Sequence, residues 1–506
     1  MGIESFFGAY ILPKYRSCVR KNVKLGKISS LMIDCNGIFH NSAQKIYGYG
    51  KYTVPVPGDQ RTLLLEDIIN KLEEIISTIS PEDNFILAPD GVAPVAKLNQ
   101  QKSRRFLSSA ERTIDFDSNQ FTPGTDLMMD IDYYIDNWIS NYEYLPRNTI
   151  YSSHNEKGEG EHKIFEYARQ GKIKGNGSHV LYGLDSDLII LSLLSPLEKI
   201  YLMREDYSSV VDIQILRKLI KSEFEFKGCE EDRLLKDFSV IVMFAGNDFL
   251  PKLPSFTETR DFIEQFTRIY KSNREHIIDP TNKINFKVLM KLFQKYNEKY
   301  NLEKVINENL HIYPYNEIID SMSENNINMK VFETKWYEKQ FKPKTKQIEK
   351  FYKDKKYFDG NDIAKMCIEY LKTMGWVYRY YTDGHTSVSN THFYPYIYAP
   401  MADSIKTMLE KLFNDDKKMP ERLERLHDVD QQFFEITSNH QLMMVLPPKS
   451  INIIPSKLRK SYTKYMTCIN PKDFLIVQEG TNKEWHKTAI IPPVNLNFTR
   501  LILESD

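Results

Sequence analysis

The strongest constraint on this chain is a recurrence: short apolar runs that each end in carboxylates. Residues 28–33 (ISSLMI) lead directly to Asp34, and residues 84–88 (NFILA) lead through Pro89 to Asp90. Residues 149–153 (TIYSS) open into HNEKGEGEH, which carries Glu159 and Glu161. Residues 179–184 (HVLYGL) run into Asp185 and Asp187, and residues 238–244 (FSVIVMF) run through Ala-Gly-Asn to Asp248. Continuous apolar runs of this length read as strands buried on both faces. Helical periodicity between them, as in residues 63–76, supplies the crossovers. The expected fold class is α/β, a mostly parallel twisted sheet flanked by helices. In such a sheet the C-terminal strand ends line the ligand crevice. All five runs would deliver acids there.

One Asp after a strand is usually a turn former or a helix N-cap. Five such strand ends converging by accident is a far weaker explanation. Seven carboxylates brought together cannot all stay ionised without compensation. Hard divalent cations supply it, and Mg²⁺ prefers carboxylate and water oxygens. Two such ions roughly 3.5–4 Å apart can serve phosphodiester cleavage. The five cysteines are scattered and never spaced CxxC, and no His/Cys cluster points to zinc.

Lys plus Arg and Asp plus Glu both total 68, so a site for a polyanion has to be a local patch. One candidate is the segment 97–105. Lys97, Gln101 and Arg104 follow at spacings of four and three and share a helix face, with Arg105 adjoining. A terminal phosphate wants such charge-assisted donors, although a Lys/Arg run by itself is more often a solvated face. Residues 335–356 form a second basic stretch, with nine lysines against three acids. It is equally readable as a surface that tracks a polyanion backbone or as a plain surface helix. The apolar runs are too short to span a bilayer, and MGIESFF has neither a secretory n-region nor the myristoylation pattern. A composition shift after Pro254 suggests two domains, 1–260 and a mainly helical second lobe 261–506.

Taken together, several motifs resemble the XRN 5′→3′ exoribonucleases. They are IDCNGIFH (33–40), APDGVAPVAKLNQQKSRRF (88–106), FDSNQFTPGTD (116–126), GEGEHK (158–163), LYGLDSDLI (181–189) and AGNDFLP (245–251). YPYIYAP (394–400) and QLMMVLP (441–447) are similar to the family's second conserved region. The resemblance implies a PIN/FEN-like nuclease core and two Mg²⁺ or Mn²⁺ ions held by Asp34, Asp90, Glu159, Glu161, Asp185, Asp187 and Asp248. It implies processive release of mononucleotides from single-stranded RNA bearing a 5′-monophosphate. Lys97, Gln101, Arg104 and Arg105 would hold that phosphate, and His40 would stack on the terminal base. Where the family has a stacking Trp, this sequence has Asn390 or His392, so the second stacking wall is expected to be weaker. Decapping factors are the expected partners, with a monomeric, cytoplasmic chain as the default.

Two other readings remain open at this stage. A flap-type DNA 5′ nuclease shares the acidic core, but no GxGxxT hairpin follows Asp248. A non-catalytic RNA scaffold would not need all seven acids.

Overall fold

The computed structural model describes residues 3, 5–21, 25–183, 185–204, 207, 209–256, 258–308, 314–320, 328–341, 360–414, 419–427, 433–478 and 487–505. The chain divides into two compact units. One comprises residues 16–216, 434–472 and 494–506, the other residues 1–15, 217–433 and 473–493. Each unit draws on both sides of residue 260, so a single cut there describes neither.

The first unit is built on a seven-stranded sheet. Its strands are β1 (Val19–Lys21), β2 (Ile28–Asp34), β3 (Asn84–Ala88), β4 (Asn148–Tyr151), β5 (Ser178–Tyr182), β6 (Ile200–Met203) and β7 (Ser209–Asp212). Their spatial order is β1-β7-β6-β5-β2-β3-β4. The five strands from β6 to β4 are parallel, whereas β7 and β1 add an antiparallel edge. Four of the expected strands are present. Leu31, Met32 and Ile33 are all inaccessible, as are Phe85, Ile86 and Leu87. Both faces are therefore covered, which is why residues 31–33 and 85–87 are apolar without alternation. On one face Leu31, Ile33, Phe85, Leu87 and Val180 share a core with the helices Asn36–Tyr47, Gln60–Ile79 and Asp126–Asn141.

The chain steps outward from β2 to β3 to β4, then returns to the other side of β2 for β5 and β6. The strand order thus reverses between β2 and β5. That switch point is where open α/β sheets leave a crevice. Asp34 closes β2 and Asp185 follows β5, so the two acids flank it.

The run 238–244 is not a strand. Residues 238–243 form the second half of the helix Glu231–Met243, in the other unit, and Phe244 is its C-cap. Every residue from Asp237 to Met243 is buried, so burial on all sides of the helix erases its amphipathic period. Helices dominate the described part of this unit, including Thr259–Asn273, Phe286–Lys295, Gly360–Asp383 and Ala402–Phe413, with one antiparallel hairpin, Leu475–Gln478 with Lys487–Ile490. Of the basic stretch 335–356, residues 335–341 end the helix Met329–Phe341; the remainder lies outside the described residues. No described helix is long and apolar enough to cross a membrane.

Candidate active site

The connection after β4 is stitched onto the end of β3. Ser152 N–H donates to Leu87 O, Gly91 N–H to Gly158 O and Gly158 N–H to Val92 O, each at 2.9 Å. Two glycines permit this approach. A Cβ on Gly91 would stand 1.6 Å from Glu156 O, and one on Gly160 would stand 2.3 Å from Ala88 O and 3.0 Å from Asp34 Oδ1. Lys163 is buried and donates to the carbonyls of Ser152 and Ser153 at 2.9 and 2.8 Å. Burial pushes its ammonium down to about 8. The stitched loop delivers Glu159 as N-cap of the helix Gly160–Arg169, with Glu161 in its first turn.

Asp34, Asp90 and Glu161 then offer carboxylate oxygens that all lie within 4.8 Å of one another, and Glu159, Glu161 and His162 form an overlapping group. Asp90 Oδ1 accepts from Gly160 N–H at 2.9 Å, and Asp90 N–H donates to Asn36 Oδ1 at 3.1 Å. Asp34 Oδ1 is buried with no hydrogen-bond partner. Burial, then the charges of Asp90 and Asp185, hold Asp34 well above the carboxylate range. Burial, then Glu159 and Asp34, do the same for Glu161. An unpartnered buried oxygen beside two more carboxylates fits a hard divalent cation.

The acids share a cavity of about 240 Å³ with the basic residues. Asp34, Asp90, Glu159, Glu161 and Asp185 line it, and so do His40, Lys97, Gln101, Arg104 and Arg105. The last four come from the helix Val95–Glu111, as their spacing implied. Lys97 forms an ion pair with Glu159, their side chains only 8% and 2% exposed. Arg104 is exposed, while Arg105 is half-buried with its Nε sealed off and without a hydrogen-bond partner. Burial and the adjacent Arg104 push Arg105 down to about 10. The His40 ring meets Phe121 edge-on at 4.8 Å and keeps solvent access. Desolvation by the protein atoms around the ring, then the charges of Arg104 and Arg105, push its imidazole down to about 4.

Asp187, Asp248 and His392 are not among the residues that line this cavity. Asp187 is buried in the first turn of the helix Asp187–Leu194 and does not line the cavity. Asp248 follows the helix Glu231–Met243 in the other unit. His392 is in that unit too, its Nε2 2.8 Å from Thr373 Oγ1 and its ring 6.2 Å from that of Trp376. The sequence reading did not single out Asn36, His162 or Lys163. All three stand inside motifs it quoted, next to acids it chose.

Fold and site thus define an α/β protein with a cluster of carboxylates and basic side chains lining one cavity at a sheet switch point. Residues 1–114 and 108–206 match the family model described as XRN 5′-3′ exonuclease N-terminus, and residues 228–309 and 292–504 match the Xrn1 helical domain. The chain belongs to the XRN 5′-3′ exonuclease family. It is similar to 5′-3′ exoribonuclease 1 of Schizosaccharomyces pombe, at 33% identity over 54% of this chain and 24% of that protein. The human 5′-3′ exoribonuclease 1 is 26% identical over 97% of this chain and 33% of its own length. The Arabidopsis thaliana 5′-3′ exoribonuclease 2 is 23% identical over 92% of this chain and 61% of its own. The matches to exoribonuclease 1 span only about a quarter to a third of those relatives.

Proposed function

We propose that this chain is a divalent-metal-dependent 5′→3′ exoribonuclease. It removes mononucleotides stepwise from single-stranded RNA that carries a 5′-monophosphate. One observation carries the reading: a single cavity holds both the close carboxylates of Asp34, Asp90 and Glu161 and the guanidinium of Arg105 with its unpartnered buried Nε. A cation-binding centre and an anion-binding niche side by side suit one nucleotide, gripped at its terminal phosphate with its 3′ phosphodiester over the metals.

Asp34, Asp90 and Glu161, with Glu159 and Asp185 beside them, would hold two Mg²⁺ or Mn²⁺ ions. When bound, such cations stabilise the charge that builds on the phosphodiester under attack. Arg104 and Arg105 bind the terminal phosphate and so choose which bond is presented. His40, neutral, offers a ring face to the first base. Asn36 orients Asp90, and Lys97 offsets the charge of Glu159. Asp187, in the first helical turn after Asp185, keeps its expected role as a ligand. An upstream cap-removing reaction would supply the substrate.

The test offers one RNA with monophosphate, triphosphate, hydroxyl or capped 5′ ends, together with a DNA flap. The monophosphate RNA should be degraded to 5′-mononucleotides in Mg²⁺ or Mn²⁺, and Arg104→Ala should erase the preference over the hydroxyl end. Preferential cutting of the flap, or a preference unaffected by Arg104→Ala, would overturn the reading.

A further inference from the structure

We infer that Gln441, from the QLMMVLP motif, is a positioning residue for recognition of the RNA 5′ end, acting through Gln101. The inference rests on the reading of the Arg104/Arg105 cavity as a phosphate pocket. Gln441 is fully buried and stands 340 residues from Gln101 in the chain. Its Nε2 donates to Gln101 Oε1 at 3.2 Å.

A glutamine amide has one end that donates and one that only accepts. Its terminal torsion is broad and nearly two-fold, so the cavity alone does not select an orientation. With Oε1 engaged by Gln441, the end of Gln101 left for the cavity is its NH₂ group. That end can donate to a phosphate oxygen, whereas a carbonyl there would repel it. The arrangement leaves Gln441 Oε1 buried with no hydrogen-bond partner. Turning both amides over would instead strand a buried N–H, which proteins tolerate less often than a stranded acceptor.

Gln441 is held by a framework independent of Gln101. Its helix, Ser438–Val445, is capped by Thr437. Asn470 Nδ2 donates to Met443 O at 2.8 Å, and Tyr462 donates to Leu446 O at 2.5 Å. From the same segment, Ile469 O accepts from the buried Lys102 at 2.9 Å, on the helix that carries Gln101. The orientation of a cavity residue is therefore set by a distant stretch that never enters the cavity.

The experiment measures kcat/KM on 5′-monophosphate and 5′-hydroxyl RNA for the full chain and its variants. Gln441→Met, close in shape but unable to donate, frees the Gln101 amide to turn either end to the cavity and should lower the phosphate-over-hydroxyl ratio about two- to threefold. In Gln441→Glu the carboxylate accepts from Gln101 and turns its carbonyl to the cavity, so the ratio should fall at least as far. Gln101→Ala combined with Gln441→Met should match Gln101→Ala alone, because the two act as one unit. A merely structural role would lower both substrates together and leave the ratio, and that result in either foldable Gln441 variant overturns the inference alone. A wild-type chain indifferent to the 5′ end overturns the pocket reading, and the inference with it.

Discussion

The ammonium of Lys97 is paired with the carboxylate of Glu159 in the cavity wall, where both side chains are largely buried. Lys97 comes from the helix that carries Arg104 and Arg105, and Glu159 from the loop that carries Glu161. The pair ties the basic helix Val95–Glu111 to the carboxylate cluster.

Removing one partner should be costly. Lys97→Ala removes the ammonium from this buried pair and should destabilise the metal-free chain by about 3–5 kcal/mol, the usual loss when such a pair is broken. Calorimetry in chelator measures this. Lys97→Arg should lose less, because the charge persists.

Neutralising the carboxylates should separate stability from activity. Asp34→Asn or Glu161→Gln should cut hydrolysis by about 10³-fold or more, through loss of metal binding. In chelator the same changes should raise the melting temperature or leave it unchanged, since they relieve packed like charge. Asp185→Ala should abolish hydrolysis while leaving RNA binding detectable by fluorescence anisotropy. Near-wild-type turnover in these variants would refute the metal assignment.

The raised carboxyls give the metal-free chain a defined pH response. Folded Asp34 and Glu161 keep protons that the unfolded chain releases in the ordinary carboxylate range. Their contribution to stability is complete below that range and is lost as pH rises through the raised values. Melting temperature in chelator should therefore fall from mildly acidic towards neutral pH. Mn²⁺ at about 100 times its Kd should restore about 2.7 kcal/mol, most visibly at neutral pH. No metal-dependent rise at neutral pH would contradict the site.

Close backbone approach predicts a steric sensitivity. Gly91→Ala or Gly160→Ala forces a Cβ against Glu156 O or Ala88 O. Each should cost about 1–3 kcal/mol, and by shifting the acid-bearing loop should lower kcat about 10²-fold. Thermal denaturation and single-turnover kinetics on the same variants would show whether the two losses travel together.

By itself the sequence determined the parallel core and most of the site. Strands covered on both faces show consecutive apolar residues and no alternation, so β2, β3 and β5 are visible through residues 31–33, 85–88 and 180–182, with Asp34 ending β2 and Asp90 and Asp185 just beyond β3 and β5. Helical spacing likewise placed Lys97, Gln101 and Arg104 on one face. What needed the tertiary structure was anything without a local period. The run 238–244 is equally apolar as a strand or as an all-round buried helix, and only its packing chose the helix. The antiparallel edge of β7 and β1, the pairing of Lys97 with Glu159 and the hold of Gln441 on Gln101 join residues far apart in the chain. Such contacts leave no mark on the order of neighbouring residues, because it is the folded backbone, and not sequence spacing, that brings their atoms within reach.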